Sequence, residues 1–263
     1  MTVEKLLESI RGRRVYDLSR EFHAGMPVFP GFPTFSLTPI RRHGDKVYED
    51  GYTGSDELVT MCNHSGTNMD ALCHGSVNGL MYGGKSFSQG PAGCDIYGVE
   101  TIDPLVRRGV LLDVPSARGL SILDPAYEVT PSDLDAALGD LRLGRGDVAL
   151  IRTGWIRYWD DLDRYSGSAL PGLPGPGLPG AEWLSRRGIA AAGSDTIAFE
   201  RYIPNQARVP VHRHFLVEKG IFILEALDLE ELAADGVHEF LMIAAPIKFR
   251  GATGGPVRPV AIA

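Results

Sequence analysis

The sequence predicts an α/β fold in a single domain spanning residues 1–263. Three observations carry that expectation. Short apolar runs of strand length alternate with amphipathic stretches of helical length along the whole chain. No segment repeats at a fixed period. The one low-complexity patch, Leu170 to Gly180, is short for an interdomain linker and has the same strand–helix texture on both sides.

Taken in order, Thr2 to Ile10 reads as a short helix with Leu6, Leu7 and Ile10 on one side. Val15 to Ser19 reads as a strand. Gly25-Met26-Pro27-Val28-Phe29-Pro30-Gly31-Phe32-Pro33 holds too much Pro and Gly for a regular element and predicts an apolar loop. Its Phe29 and Phe32 are candidates for a substrate-facing wall, or for packing beneath the loop. Residues 34–60 hold two strands, with Arg42, His43, Asp45 and Lys46 at a turn. Gly75 to Gly84 is a Gly-rich connection, and Val99 to Ile102 and Val110 to Val114 read as strands. Pro131 to Leu141 reads as a helix, with Thr130 as N-cap and Pro131 in the first turn. Val148 to Thr153 is a buried-type strand ending at Gly154. Trp155, Tyr158 and Trp159 follow it as core-edge anchors or as a substrate platform. A helix over Ala181 to Arg187 ends at Gly188, and a strand over Ile189 to Ala192 runs into Gly193-Ser194-Asp195-Thr196. Ile221 to Leu224 is a strand, a helix starts near Asp228, and a strand over Leu241 to Ala245 precedes a Gly-rich tail.

Composition narrows the function. Acidic residues number 33 against 26 basic ones, giving a net charge of −7. That balance argues against nucleic acid or an anionic membrane as the main partner. The longest apolar run, Phe240 to Ile247, falls far short of the about 20 residues that span a bilayer. Cys62, Cys73 and Cys94 cannot all pair and form no Cys-x-x-Cys clip, and the N-terminus lacks an apolar signal core. A soluble cytoplasmic protein is therefore expected. No GxGxxG follows a strand and no GxxxxGK[ST] occurs, which argues against nucleotide cofactors.

The chemistry concentrates in His64-Ser65-Gly66-Thr67-Asn68-Met69-Asp70-Ala71-Leu72-Cys73-His74. An extended chain rises roughly 3.3 Å per residue, so His64 and Asp70 would stand about 20 Å apart. A regular helix sets Asp70 and His74 about 200–240° away from the side shared by His64 and Asn68. Convergence on one ion therefore needs a chain folded back, and Gly66-Thr67 is the natural bend. The plainer reading is a polar loop with two surface histidines. A second half of a site is offered by His212 and Glu225. Glu225 directly follows an apolar strand, where a lone carboxylate is costly to bury unless it meets a cation or donors. A cap or a surface turn is its other reading. His214 points the same way as His212 if the chain is extended there, and stands as the alternative to it.

The run from His64 to His74 resembles the signature of the metal-dependent cyclase family, which includes bacterial kynurenine formamidases and isatin hydrolases. That signature reads His-x-Gly-Thr-His-x-Asp-x-x-x-His. The chain matches at His64, Gly66, Thr67, Asp70 and His74, and carries Asn68 where the family has its second metal-binding histidine. The resemblance implies an α/β domain with a mixed, barrel-like sheet flanked by helices, of the swivelling β/β/α type. It implies a divalent metal, zinc or manganese, held by His64, Asp70, His212 and Glu225, with Asn68 at the odd position. It gives His74 the role of moving protons. Phe29, Phe32 and Trp155 are the candidate substrate-binding residues. The implied reaction is hydrolysis of an amide, lactam, lactone or N-formyl bond of a small aromatic or cyclic substrate by metal-activated water, in a homodimer or homotetramer. Ring closure by the same fold, or a metal-free, non-catalytic small-molecule binder, are the alternatives. For Asn68 three states stay open: a harder ion held through oxygen, zinc held with Asn68 outside its coordination sphere, or a site that has lost its metal.

Overall fold

Strands drawn from nearly the whole chain meet in one nine-stranded sheet. The computed structural model describes residues 2–168 and 171–263, with the side chain of Leu6 also outside the description. The expectations placed on the Leu6 side chain and on Leu170 therefore fall outside the described residues. In chain order the strands of three or more residues are β1 (Val15–Asp17), β2 (Ser36–Arg41), β3 (Asp56–Thr60), β4 (Asn68–Asp70), β5 (Leu105–Asp113), β6 (Val148–Arg152), β7 (Ala191–Ser194), β8 (Phe222–Glu225), β9 (Glu239–Ala244), β10 (Gly254–Pro256) and β11 (Val260–Ile262). The sheet order is β1-β11-β9-β5-β6-β7-β8-β4-β10. Strands β5, β6, β7 and β8 run parallel. Antiparallel strands flank them, β9, β11 and β1 on one side and β4 and β10 on the other. The result is the mixed α/β fold the sequence predicts, its sheet curled into a half-barrel.

The period of two along each strand divides the core. In β6, Val148 and Leu150 enter one apolar cluster and Ala149 and Ile151 the other. The second cluster is closed by helices over Pro131–Leu138 and Leu178–Arg186 and by the segment from Pro210, through Leu134, Leu184, Phe215 and Leu216. At the ends of β6 and β7 the Asp195 carboxylate ties the two strands together. It accepts hydrogen bonds from Thr153 N (2.9 Å), Thr153 Oγ1 (2.6 Å) and Gly154 N (2.7 Å). Burial still pushes its pKa up, to about 6.

Several expectations change. Val99–Thr101 is a 3₁₀ turn rather than a strand, with Thr101 Oγ1 donating to Gly98 O. Strand β5 begins earlier than Val110 and stops at Asp113, whose side chain caps the short helix Val114–Ala117. The helix expected from Ala181 begins at Leu178, because Pro179 is well suited to a first helical turn. The Gly-rich tail carries β10 and β11. The His-containing stretch is not extended. It starts helical at Pro210–His212 and continues as a π-helix over Arg213–Lys219. Trp155 is a core residue, not a substrate platform. Gly154 adopts φ 80° and turns the next residue inward, so Trp155 is 1% exposed and donates from Nε1 to Tyr165 O at 3.2 Å. Trp159 is buried in the same cluster.

Candidate metal centre

The fold-back expected at Gly66-Thr67 is present, followed by one short strand. Gly66 has φ +63°, and a Cβ there would lie 1.8 Å from Phe22 Cε1, so both backbone and space require glycine. Thr67 is pinned by donating Oγ1 to Ala226 O (2.7 Å) and accepting Arg20 N (3.0 Å). Alternation along β4 then sends Met69 into the core and puts Asn68 and Asp70 on the opposite face. The antiparallel partner β8 sets Glu225 directly across from Asn68. The 3₁₀ turn Leu72–His74 brings His74 back over the strand. On the other edge, β10 places Gly254 opposite Asp70, where a Cβ would come within 2.6 Å of His64 Cε1. A glycine is needed there for the imidazole to lie flat against the strand.

These elements bring five of the expected residues together. His64 Nδ1 lies 2.8 Å from Asp70 Oδ1, and its Nε2 lies 2.8 Å from Thr253 Oγ1. His212 Nε2 lies 3.7 Å from Asp70 Oδ2 and 3.5 Å from Glu225 Oε1. His74 Nε2 lies 3.9 Å from Asp70 Oδ2, and the His74 ring stacks on His64 with centroids 4.1 Å apart. Asp70 thus belongs to two donor clusters, one with His64 and His74 and one with His212 and Glu225.

Asn68 is on the spot but in the wrong sense for a ligand. Its Nδ2 faces Asp70 Oδ1 (3.3 Å) and Glu225 Oε2 (3.4 Å). An amide –NH₂ offers two donors and no lone pair to a cation, so in this orientation Asn68 donates to the two acids, and its oxygen reaches a cation only if the amide is turned over. His214 is excluded from the centre. Two residues along a helical segment diverge by about 200°, and His214 instead contacts Ser185 Oγ (2.9 Å) and Glu218 Oε2 (3.1 Å).

The electrostatics fit a cation. Asp70 is fully buried, and its Oδ2 has no hydrogen-bond partner. A buried ionised oxygen left unpaired costs several kcal/mol, roughly, and a divalent ion removes that cost. In the cluster of Asp70, His212 and Glu225, His212 Nε2 stands 3.7 and 3.5 Å from the two carboxylates, the spacing expected of donors sharing one ion at about 2.0–2.2 Å, and His64 meets the other oxygen of Asp70 at 2.8 Å. Burial raises the Asp70 pKa, yet His74, His64 and His212 more than offset this and hold it below the usual carboxylate range. Glu225 moves the other way, raised by burial and by the charge on Asp70. Burial opposes charge on His212, but Glu200 and Glu225 outweigh it and raise its pKa well above the ordinary value. His74 is lowered to about 4 by burial, with His64 and His212 adding repulsion that Asp70 only partly offsets.

His64, His74, His212 and Glu225 line a cavity of about 430 Å³. Phe29 and Phe32 line it, as the sequence suggests, together with Tyr202, Ile197, Leu216 and Val217. Phe29 meets Tyr202 edge-on at 5.2 Å and Phe32 at 5.6 Å. Two residues of the centre escaped sequence reasoning. Glu200, 2% exposed, contacts His212 Nδ1 at 2.5 Å, and Thr253 holds His64. A carboxylate after the apolar run Ile197-Ala198-Phe199 carries the same signal that singled out Glu225. Thr253, among glycines, carries no comparable one.

Comparison with known proteins agrees with this geometry. The chain is 29% identical over 260 residues to the isatin hydrolase of Roseibium aggregatum, covering 94% of this chain and 91% of that one. It is 24% identical over 250 residues to the kynurenine formamidase of Erythrobacter litoralis, covering 94% and 93%. A crystal structure described as a novel cyclase superposes with a TM-score of 0.86 at 29% identity, covering 100% of this chain and 94% of that one. Residues 16–201 match the family described as Putative cyclase, and with the fold and the folded-back His64–His74 segment this means that the chain belongs to the cyclase family.

Proposed function

We propose that this chain is a metal-dependent hydrolase opening an amide, lactam, lactone or N-formyl bond of a small, flat, cyclic or aromatic substrate. One observation carries the reading: Asp70 Oδ2 is buried and unpaired, with imidazole nitrogens of His212 and His74 at 3.7 and 3.9 Å, and both of those histidines line an apolar cavity. The relatives named isatin hydrolase and kynurenine formamidase support the choice of bond. His64 through Nδ1, Asp70, His212 through Nε2 and Glu225 would hold the ion, and their two negative charges match a divalent one. Such a set suits zinc or manganese. When bound, the ion supplies a Lewis acid that acidifies water and polarises the scissile carbonyl. His74 is neutral at pH 7, takes the proton from the attacking water and returns it to the leaving nitrogen or oxygen. Phe29, Phe32 and Tyr202 hold the flat part of the substrate by ring contacts. The test is turnover of N-formyl aryl amines, lactams and lactones by protein of measured metal content. No turnover of any of them, with the metal in place, removes the reading.

Asn68 serves in this reading as the donor that keeps Asp70 and Glu225 from repelling each other. Asn68→His restores an imidazole on the same strand face and is expected to tighten zinc binding by roughly tenfold or more. Chelator competition on the two proteins measures it. Equal affinity means that position 68 does not face the ion.

We further place two copies of the chain together through the β2–β3 hairpin, which pairs only with itself among the described residues. Both faces are open, with Leu37, Ile40, Leu58 and Val59 at least half exposed. An isolated two-stranded ribbon is marginal in water, so this one needs covering. Light scattering is expected to give a dimer or a tetramer for the wild type and a smaller species for Leu37→Asp/Leu58→Asp. A monomeric wild type refutes the assignment. We assign the protein to one domain and to a reducing cytoplasm, a reading supported by three free thiols, Cys62, Cys73 and Cys94. No helix among the described residues is long and apolar enough to cross a membrane.

A further inference from the structure

A second glutamate is buried beside the centre, and two of its three side-chain hydrogen bonds go to one histidine. Glu200 is 2% exposed. Its carboxylate accepts hydrogen bonds from Val211 N (3.2 Å) and His212 N (3.0 Å), and its Oε1 accepts from His212 Nδ1 at 2.5 Å. The first two are N–H groups at the start of the helical segment, which lack intrahelical partners. The third fixes the imidazole. With the Nδ1 proton committed to a carboxylate, the opposite nitrogen, Nε2, is the one presented to Asp70 Oδ2 and Glu225 Oε1.

The backbone around Glu200 is strained to allow this. Phe199, the residue before it, has φ 52°, a region that a bulky side chain rarely adopts, and it is fully buried. Ala226, directly after Glu225, has φ 52° as well. Non-glycine residues with positive φ thus adjoin both buried glutamates, and such strain persists only where the surroundings hold it. His64 has a matching arrangement, with Thr253 Oγ1 on the ring nitrogen turned away from Asp70.

We propose that Glu200 is a positioning residue: it orients His212, and selects which of its nitrogens faces the acids, from outside the centre. This rests on the metal-dependent reading above only for the consequence, not for the contact. Outer partners of this kind are worth about 10–100-fold in metal affinity. Glu200→Leu removes the acceptor, whereas Glu200→Gln keeps an acceptor and loses the charge.

Two readouts on the full-length protein test it. Zinc affinity, by chelator competition, is expected to fall about 100-fold in Glu200→Leu and about tenfold in Glu200→Gln, measured on the folded fraction. In histidine-¹⁵N-labelled protein, the proton on His212 Nδ1 is expected far downfield in the wild type, shifted in Glu200→Gln and absent in Glu200→Leu. A purely structural cap would lower the melting temperature and leave the affinity of the folded protein unchanged. Wild-type affinity in both folded variants, or an unaltered resonance, overturns the proposal. If Glu200→Leu does not fold, Glu200→Gln and the wild-type resonance still decide it. A wild type that binds no zinc or manganese sinks the hydrolase reading instead, while the resonance continues to judge Glu200.

Discussion

Asp70→Asn is expected to abolish metal binding and to lower kcat/KM by about 10³ or more, since every contribution of the ion is lost together. Asp70 is the residue that both donor clusters share. Its Oδ1 faces His64 and Asn68, and its Oδ2 faces His74 and His212. The substitution conserves volume, so packing around β4 is retained. The charge goes, and either –NH₂ or a neutral oxygen now faces the imidazoles. Metal analysis after dialysis should read near one ion per chain for the wild type and near zero for the variant, at unchanged far-ultraviolet circular dichroism. A folded variant that keeps its metal and its turnover would show that Asp70 Oδ2 is not where the cation sits.

The fold and most of this centre were legible because they depend on local signals. The apolar strands β6 and β8 declare themselves by composition, and Thr130-Pro131 announces a helix that the structure caps through Thr130 and Asp133. Spacing alone showed that His64 and Asp70 need a bend, and Gly66 supplies it. Failures arose where tertiary contacts decide. Val99 to Thr101 has strand-forming residues, yet Glu100 is drawn off to accept Gly251 N at 2.9 Å and the segment curls into a turn. Trp155 has the right chemistry for a substrate wall, but the left-handed Gly154 turns it into the core. The choice between His212 and His214 depended on whether the chain there is extended or helical. Nothing local reveals a π-helix.

Glu200 carries in the sequence the same signal as Glu225. A carboxylate after an apolar run must meet a cation or donors, and this holds for the glutamate after Ile197-Ala198-Phe199 as it does for Glu225. The structure gives each a different answer. Glu225 faces an imidazole nitrogen, the Asn68 amide and a second acid, and burial with the charge on Asp70 raises its pKa; Glu200 meets three N–H donors. Sequence can flag the expense of burying each acid, but only the fold says which partner offsets it.

His74→Ala is expected to lower kcat by about 10²–10⁴, the usual worth of a positioned acid–base group, while metal content stays at the wild-type level. His74 is separable from the ligands in two ways. Its closest carboxylate contact, to Asp70 Oδ2, is 3.9 Å, and its side chain remains 33% exposed where it lines the cavity. Its pKa is lowered to about 4, first by burial and then by repulsion from His64 and His212. A bound cation nearby would push it the same way, so the neutral base persists through the physiological range. Once it accepts a proton it is a stronger acid than an ordinary imidazolium, which favours return of that proton to the leaving group. Loss of the neutral base should therefore contribute to any fall in activity only well below pH 6, as His74 protonates. Stability carries the same sign. Between the unfolded value near 6.5 and the folded value near 4, the unfolded chain binds more protons at His74, so this group's contribution is full above about 6.5 and is lost as pH falls towards 4. Acid unfolding of the metal-free His74→Ala protein should accordingly be less steep over that window than the wild type's. Turnover that survives the substitution, at any pH, would take the proton transfer away from His74.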